Sequence, residues 1–272
     1  MENSKSGFQC NLPKSQAQKR NYQRELDQLL SKFQKDEEKK PSLLLHACCG
    51  PCSSYCLEYL THFFDITVFY YNPNIYPPEE YFRRFNELKK LYQTFPPALE
   101  GKVKVVEKEY IPQEFYDAIK IKDEPELAKE AEKGERCRRC YELRISAAYD
   151  YAKANSFDYF CTTLSISPFK DAEKINVIGE TLAQGGLLRF ARNDEAGFSN
   201  DGAGFSNDEV QGGQTPGGVC NESDRGQTPR WLPSDFKKKG GFKRSLEISQ
   251  EFDMYRQDYC GCVYSKNNTI HH

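Results

Sequence analysis

Leu43-Leu44-Leu45-His46-Ala47-Cys48-Cys49-Gly50-Pro51-Cys52-Ser53-Ser54-Tyr55-Cys56 is an apolar run that breaks into a turn carrying three cysteines before a helical pattern resumes. Ser42–Ala47, bounded by Pro41, reads as a short strand buried on both faces, the kind that parallel sheets contain. Ser53 or Ser54 is the candidate N-cap of the next element, and Tyr55–Phe63 follows helical spacing with Leu57, Leu60 and Phe64 on one side. The local order is therefore strand, turn, helix, with thiols in the turn.

Working outward, the same alternation recurs. Upstream, Tyr22, Leu26, Leu29, Leu30 and Phe33 form the apolar stripe of an amphipathic helix within 14–36. Downstream, Ile66–Tyr71 is β-branched and aromatic, a second strand, and the prolines and asparagines of 72–78 force a loop after it. Helical spacing returns over 79–95. Lys102–Glu107 reads as a third strand, 112–132 as one helix or two with an interruption near Pro125, Glu135–Asn155 as a helix and Phe157–Leu164 as a fourth strand. Strands alternating with helices predict an α/β fold, a Rossmann-like parallel sheet flanked by helices. Trp231–Phe236 reads as a further extended segment and Gly241–Tyr255 as a helix.

Residues 185–230 depart from this pattern. Ala196-Gly197-Phe198-Ser199-Asn200-Asp201 is repeated as Ala203-Gly204-Phe205-Ser206-Asn207-Asp208, and Gln-Thr-Pro occurs at 214–216 and again at 227–229. Such repeats have no period that buries a core, so a disordered inserted loop is expected, with its Cys220 incidental. The domain reading is a flexible N-terminus over 1–20, one catalytic domain over 21–266 interrupted by this insertion, and a tail over 267–272.

Composition narrows the chemistry. A hydrophobic content of 38% over 272 residues supplies a real core. No stretch approaches the ~18 apolar residues of a membrane span, and residues 1–20 lack the apolar centre of a signal peptide, so a cytoplasmic protein without a membrane partner is expected. In a reducing compartment eleven cysteines point to metal binding or redox chemistry ahead of a disulfide framework. A net charge of −2 does not mark a nucleic-acid binder, but a local basic patch suffices for one.

Two cysteine pairs are candidate metal ligands: Cys48-Cys49, and Cys137-x-x-Cys140, whose spacing puts both sulfurs on one face of a helix. The helix N-terminus and Arg136, Arg138 and Arg139 beside the second pair favour thiolates. Four thiolates suit tetrahedral zinc or an iron-sulfur cluster, and buried uncoordinated thiols are the third reading. Adjacent cysteines chelate one small ion poorly yet reach different irons of a cluster, which tips the balance toward iron and sulfur. Cys52 is a candidate fifth ligand or active-site thiol. Cys260-Gly261-Cys262 is separate. A disulfide across so small a ring departs from relaxed geometry and is readily reduced, which suits an electron relay; further ligands or inert thiols are the alternatives.

Other residues carry weaker signals. Lys237-Lys238-Lys239-Gly240-Gly241-Phe242-Lys243-Arg244 holds five positive charges in eight residues, a phosphate-binding density or a solvated loop. Thr162–Pro168 lies at a strand end, where open α/β sheets bind ligands, and Lys170 and Asp171 follow it. Tyr71, Asn72 and Tyr76 occupy the matching place after the second strand. His46 reads as a strand-end packing residue ahead of a catalyst.

Together the motifs His46-Ala47-Cys48-Cys49-Gly50-Pro51-Cys52-Ser53, Glu135-Arg136-Cys137-x-x-Cys140-Tyr141-x-Leu143-Arg144, Thr162-Thr163-Leu164-Ser165-x-Ser167-Pro168, Asp235-Phe236-Lys237-Lys238 and Tyr255-Arg256-Gln257-x-Tyr259-Cys260-Gly261-Cys262 resemble the QueH-type epoxyqueuosine reductases. The resemblance spans 22–184 and 231–266. It implies an oxidoreductase that reduces epoxyqueuosine to queuosine at the wobble position of tRNA, the last step of making that nucleoside. It further implies a 4Fe-4S cluster on Cys48, Cys49, Cys137 and Cys140, a redox-active disulfide between Cys260 and Cys262 as the catalytic pair, an additional iron with unassigned ligands, and an electron donor that the sequence does not identify. The turn also resembles the phosphate-loop position of adenine-nucleotide alpha-hydrolase-like folds, without implying ATP use. A nucleotide-dependent tRNA thiolation enzyme and a zinc-stabilised RNA-binding module are the alternatives. Against the first stands a turn of cysteines where a serine- and glycine-rich phosphate loop is expected. Tyr71, Tyr76 and Tyr259 are candidates to stack on a splayed anticodon base.

Overall fold

A computed structural model describes residues 20–33, 40–185 and 228–269. The readings of 1–19 and of 186–227, including the inserted loop with Cys220, lie outside them.

Five strands form one parallel sheet: β1 (Ser42–Ala47), β2 (Asp65–Tyr70), β3 (Lys104–Glu107), β4 (Tyr159–Thr162) and β5 (Arg230–Trp231), in the spatial order β3-β2-β1-β4-β5. Central β1 pairs with β2 from Ser42↔Asp65 to Ala47↔Tyr70, and with β4 from Leu43↔Tyr159 to His46↔Thr162. Successive side chains of a strand point to opposite faces, and here both faces are covered. Leu43, Leu45 and Ala47, with Val68, Tyr70 and Cys161, pack on one side against α1 (Tyr22–Phe33), α2 (Gly50–Leu60), α3 (Pro78–Tyr92), α4 (Pro96–Glu100) and α8 (Gly241–Glu251). Leu44, Phe69 and Phe160 pack on the other against α6 (Glu135–Ala154) and α7 (Ala172–Ala183). The α/β expectation is thus met, with His46 and Thr162 closing the second face at its carboxyl edge.

Several boundaries differ from the sequence reading. Helix α2 begins at Gly50, before Ser53 and Ser54; Cys49 takes the extended N-cap conformation and Pro51 sits in the first turn, where its missing N–H costs nothing. Ser53 and Ser54 instead donate back to the carbonyls of Gly50 and Pro51 at 2.9 and 3.0 Å. The 112–132 stretch, by contrast, divides near Pro125 as read, into α5 (Pro112–Ile119) and a short 3-10 helix, Pro125–Lys129. Helix α7 has no counterpart in the sequence reading. Asp171 starts it, its Oδ1 accepting from the N–H groups of Glu173 and Lys174 at 3.0 and 3.2 Å. The backbone of α9 (Val263–Thr269) continues as helix past residue 266, where a tail is expected. Among the described residues no helix is long and apolar enough to cross a membrane.

Candidate active site

The strand order places a topological switch point between β1 and β4, because the chain leaves β1 toward β2 and β3 and later returns to its other side. Crevices at such points, outside the strands' carboxyl ends, are where open α/β sheets bind ligands. Here a cleft of about 680 Å³ opens, lined by Cys48 and Cys52 after β1, by Leu164, Ile166, Ser167, Phe169 and Lys170 after β4, and by Gln257, Tyr259 and Cys260 from the C-terminal segment.

Cys48, Cys49 and Cys52 bring their sulfurs within 4.8 Å of one another at the start of α2. All three thiols are fit for a metal, a soft donor set held in one buried place. Cys48 and Cys49 Sγ lie 3.8 Å apart. Hydrogen bonds from Cys49 and Cys52 pull the Cys48 thiol well down, while the Cys48 contact pushes Cys49 up to about 12. Gln257 reaches across to donate to Cys49 Sγ at 3.1 Å.

A small second cavity joins the remaining thiols: Cys137, Cys140, Cys260 and Cys262 line it together with Lys170 and Arg144. Cys137 belongs to the same buried cluster as Cys48 and Cys49, whereas Cys140 and Cys262 pack with Phe115 and Ile119 of α5. Arg144 ties these groups. Fully buried, it donates through Nη2 to Asn72 Oδ1 at 2.7 Å and approaches Cys140 Sγ with Nη1 at 3.9 Å, and its charge acts on Cys140, Cys48 and Cys260. Its Nε has no hydrogen-bond partner among the described residues.

The arginines at the start of α6 favour thiolates less than the sequence suggests, although Arg136 does lower Cys137 slightly. Arg138 pairs with Glu135 and Glu142, and Arg139 with Glu124 and Glu135. Arg136 turns to the carbonyls of Leu127 and Ala128. The helix N-terminus is likewise occupied, since the Glu130 carboxylate accepts from Glu135 and Arg136 N–H at 2.7 and 2.8 Å. Burial therefore prevails, pushing the Cys137 thiol up and Cys140 up to about 11.

The Cys260–Cys262 segment is held on several sides. Gly261, at φ +124°, has its carbonyl on Tyr76 N–H at 2.8 Å, and Arg84 Nη1 donates to Cys260 O at 3.3 Å. All nine described cysteines are free thiols. The hydrogen bond with Cys262 lowers Cys260, aided by the Lys170 ammonium, and raises Cys262. Lys170 Nζ contacts Cys260 Sγ directly.

Other sequence candidates divide. His46 is a strand-end packing residue: Nε2–H donates to Tyr71 O at 3.1 Å and Nδ1 accepts from Thr162 Oγ1 at 2.8 Å, with burial, then Arg144, holding it neutral at about 3. The hydroxyls of 162–168 mostly build the turn; Thr162 caps Leu164 N–H and Ser165 meets Ser234, while Ser167 alone of them lines the cleft. Tyr71 is buried and donates to Glu114, so it is withdrawn from stacking, whereas Tyr259 lines the cleft and its hydroxyl holds Tyr76 O at 2.6 Å. In the basic segment, Lys237 pairs with Asp235, Lys239 with Asp27 and Arg244 with Glu58 and Glu251. Lys170 reaches the crevice, as its place after the fourth strand suggests, whereas Arg144 and Gln257 carry contacts that sequence reasoning leaves without roles, and only their place within the motifs signals them.

Similarity agrees with this geometry. A profile described as epoxyqueuosine reductase QueH matches residues 43–206 and 217–268. A protein of Streptococcus pyogenes serotype M1 bearing that name is 36% identical over 248 residues, 91% of this chain and 79% of the relative. Proteins of the same name from Staphylococcus epidermidis and Staphylococcus aureus are 34% and 33% identical, covering 93% of this chain and 88% and 87% of their own lengths. The chain belongs to the epoxyqueuosine reductase QueH family.

Proposed function

We propose that this epoxyqueuosine reductase acts on tRNA carrying epoxyqueuosine in its anticodon, with its thiols divided between a metal centre and a reducing pair. Cys48, Cys49, Cys137 and Cys140 hold a 4Fe-4S cluster, and Cys52, third sulfur of the buried trio, is the candidate ligand for an additional iron. Cys260 and Cys262 are the dithiol that closes to a disulfide. The observation that carries this reading is the opening of Cys48, Cys52 and Cys260 onto one cleft of about 680 Å³ at the switch point, a volume in the range of small-molecule sites.

Reduction of an epoxide to an alkene takes two electrons and two protons and releases water. A cluster held by Cys48, Cys49, Cys137 and Cys140 would pass on the dithiol's two electrons one at a time. The protein's own side chains do the rest. Cys260, lowered toward thiolate, stands at the cleft wall, and Cys262 behind it retains its proton. Tyr259 offers a ring for a splayed base, and the apolar Leu164, Ile166 and Phe169 keep water from it.

Reconstituted protein, a reductant and epoxyqueuosine tRNA test the activity, with nucleosides read by mass spectrometry. Loss of one oxygen is expected, and its absence rejects the reaction. Visible absorption that bleaches with dithionite supports the cluster; a colourless protein with stoichiometric zinc sinks it. Cys260→Ser keeps iron and loses turnover, while Cys137→Ser loses both.

A further inference from the structure

Removal of an epoxide oxygen as water requires a proton donor beside the electron source. Of the described residues, only Lys170 and Cys260 line both the large cleft and the small thiol cavity. Lys170 is 6% exposed. Its backbone is fixed on both sides: its N–H bonds to Ser167 O at 3.2 Å, and the adjacent Asp171 caps α7. The side chain thus has little freedom, and its Nζ rests on Cys260 Sγ.

We propose that Lys170 is the general acid of the reaction, its ammonium giving a proton to the epoxide oxygen as Cys260 gives up electrons. The proposal rests on the reading of Cys260 and Cys262 as the reducing dithiol. Charge is favourable at this point. Burial opposes a cation, but the facing Cys260 sulfur together with Tyr141 and Glu132 raises Lys170 well above the usual lysine range and keeps it protonated. Glu132 on the preceding loop and Cys137 and Tyr141 of α6 act on the same two groups, and Arg144 of α6 acts on Cys260. An ammonium on a thiolate stores one proton outside the sulfur, at the boundary of the substrate cleft.

The balance closes with these groups alone. Before reaction the pair holds Cys260 thiolate, Lys170 ammonium and Cys262 thiol. Both epoxide C–O bonds break and the carbon–carbon double bond forms, taking two electrons; the S–S bond forms as the two sulfurs lose them. The oxygen leaves as water with one proton from Lys170 and one from Cys262. Lys170 is left as the neutral amine and regains its proton when the disulfide is reduced.

Three proteins separate charge from acidity: full-length reconstituted wild type, Lys170→Arg and Lys170→Met. Each is assayed for Cys260 alkylation by iodoacetamide, mapped by peptide mass, and for single-turnover deoxygenation of epoxyqueuosine tRNA. Arginine keeps a cation beside the sulfur but does not release its proton. Lys170→Arg should be alkylated within about twofold of wild type yet turn over about 100-fold more slowly, the typical contribution of a general acid. Lys170→Met should lose turnover and also be alkylated about tenfold more slowly, because the thiolate loses its counter-ion. Wild-type turnover by Lys170→Arg, or wild-type alkylation of Lys170→Met, overturns the proposal. The arginine variant carries the decisive comparison, so misfolding of the methionine variant does not shelter it. Full turnover by Cys260→Ser would instead sink the dithiol reading itself, whereas an inactive Cys260→Ser beside an active Lys170→Arg sinks only the assignment of Lys170.

Discussion

Gly261→Ala is expected to disable the dithiol while leaving most of the fold standing. At φ +124° an L side chain is strained, and such a conformation costs about 1–3 kcal/mol. Space adds to the cost. A Cβ there lies 3.0 Å from Arg84 Nη1, 3.2 Å from Ile75 Cγ1 and 3.4 Å from Asn74 Nδ2. Arg84 cannot withdraw freely, because Nε is bound to Glu80 at 2.6 Å and the side chain is buried. Together these put about 2–4 kcal/mol on the segment. The segment is held from several sides, but by individual contacts such as Tyr76 N–H to Gly261 O and Arg84 to Cys260 O and not by strand pairing. Releasing it relieves the strain at less expense than unfolding the sheet. The expected result is therefore a Tm lowered by no more than ~10 °C, faster alkylation of both Cys260 and Cys262, and a turnover reduced at least tenfold. Gly185→Ala is the control. It too has a positive φ, +66°, but nothing lies within 4 Å of its Cβ, so it should cost about 1 kcal/mol and leave alkylation unchanged. Alkylation and turnover at wild-type levels in Gly261→Ala would refute the argument that the backbone at this glycine positions the pair.

Asn176→Ala should destabilise the protein by about 3 kcal/mol in urea unfolding, because this fully buried amide bonds to Ala172 O, Ser234 O, Ser234 N–H and Trp231 Nε1 and so ties α7 to the segment that carries β5. His46→Phe should cost about 2–3 kcal/mol by orphaning Tyr71 O and the Thr162 hydroxyl, with iron content as the check that the cysteine turn survives. Arg244→Ala should change stability by under about 1 kcal/mol and tRNA affinity by less than about threefold, since its guanidinium is already shared among Glu58, Glu247 and Glu251 at partly exposed positions; a tenfold loss in filter binding would restore the segment as a phosphate site. Deletion of 207–216, the stretch the family profile passes over, should leave turnover unchanged, because shortening a connection alters closure entropy little.

The parts of this protein that were legible in its sequence are those that local chemistry dictates. A run such as Leu43-Leu44-Leu45 admits a strand covered on both faces, and the packing bears that out, with Leu43 and Leu45 on one side and Leu44 on the other. The start of α2 is hard to read from sequence because Ser53 and Ser54 look like caps, whereas Pro51 already lies in the first turn and the serine hydroxyls bond backward. Helix α7 was invisible until Asp171 is seen capping it. The arginines of α6 look aimed at the thiols because sequence shows proximity along the chain but not that Glu124, Glu135 and Glu142 engage Arg138 and Arg139 while Arg136 turns to backbone carbonyls.

What no local pattern contains is strand order, and the site depends on it. Cys48 and Lys170 are separated by more than a hundred residues, yet β1 and β4 are neighbours, so the loops that leave them share one crevice. Had β4 been added beyond β3, the same motifs would stand at opposite ends of the sheet and no cleft would join Cys52 to Lys170. The C-terminal segment then completes the site from a third direction, Gln257 reaching Cys49 and Cys260 reaching Lys170. Each of these contacts links a thiol to a polar group from a distant part of the chain. The reactivity of each cysteine is therefore a property of the topology: removal of Gln257 should act first on Cys49 and removal of Lys170 first on Cys260, whose contacts come from different parts of the chain.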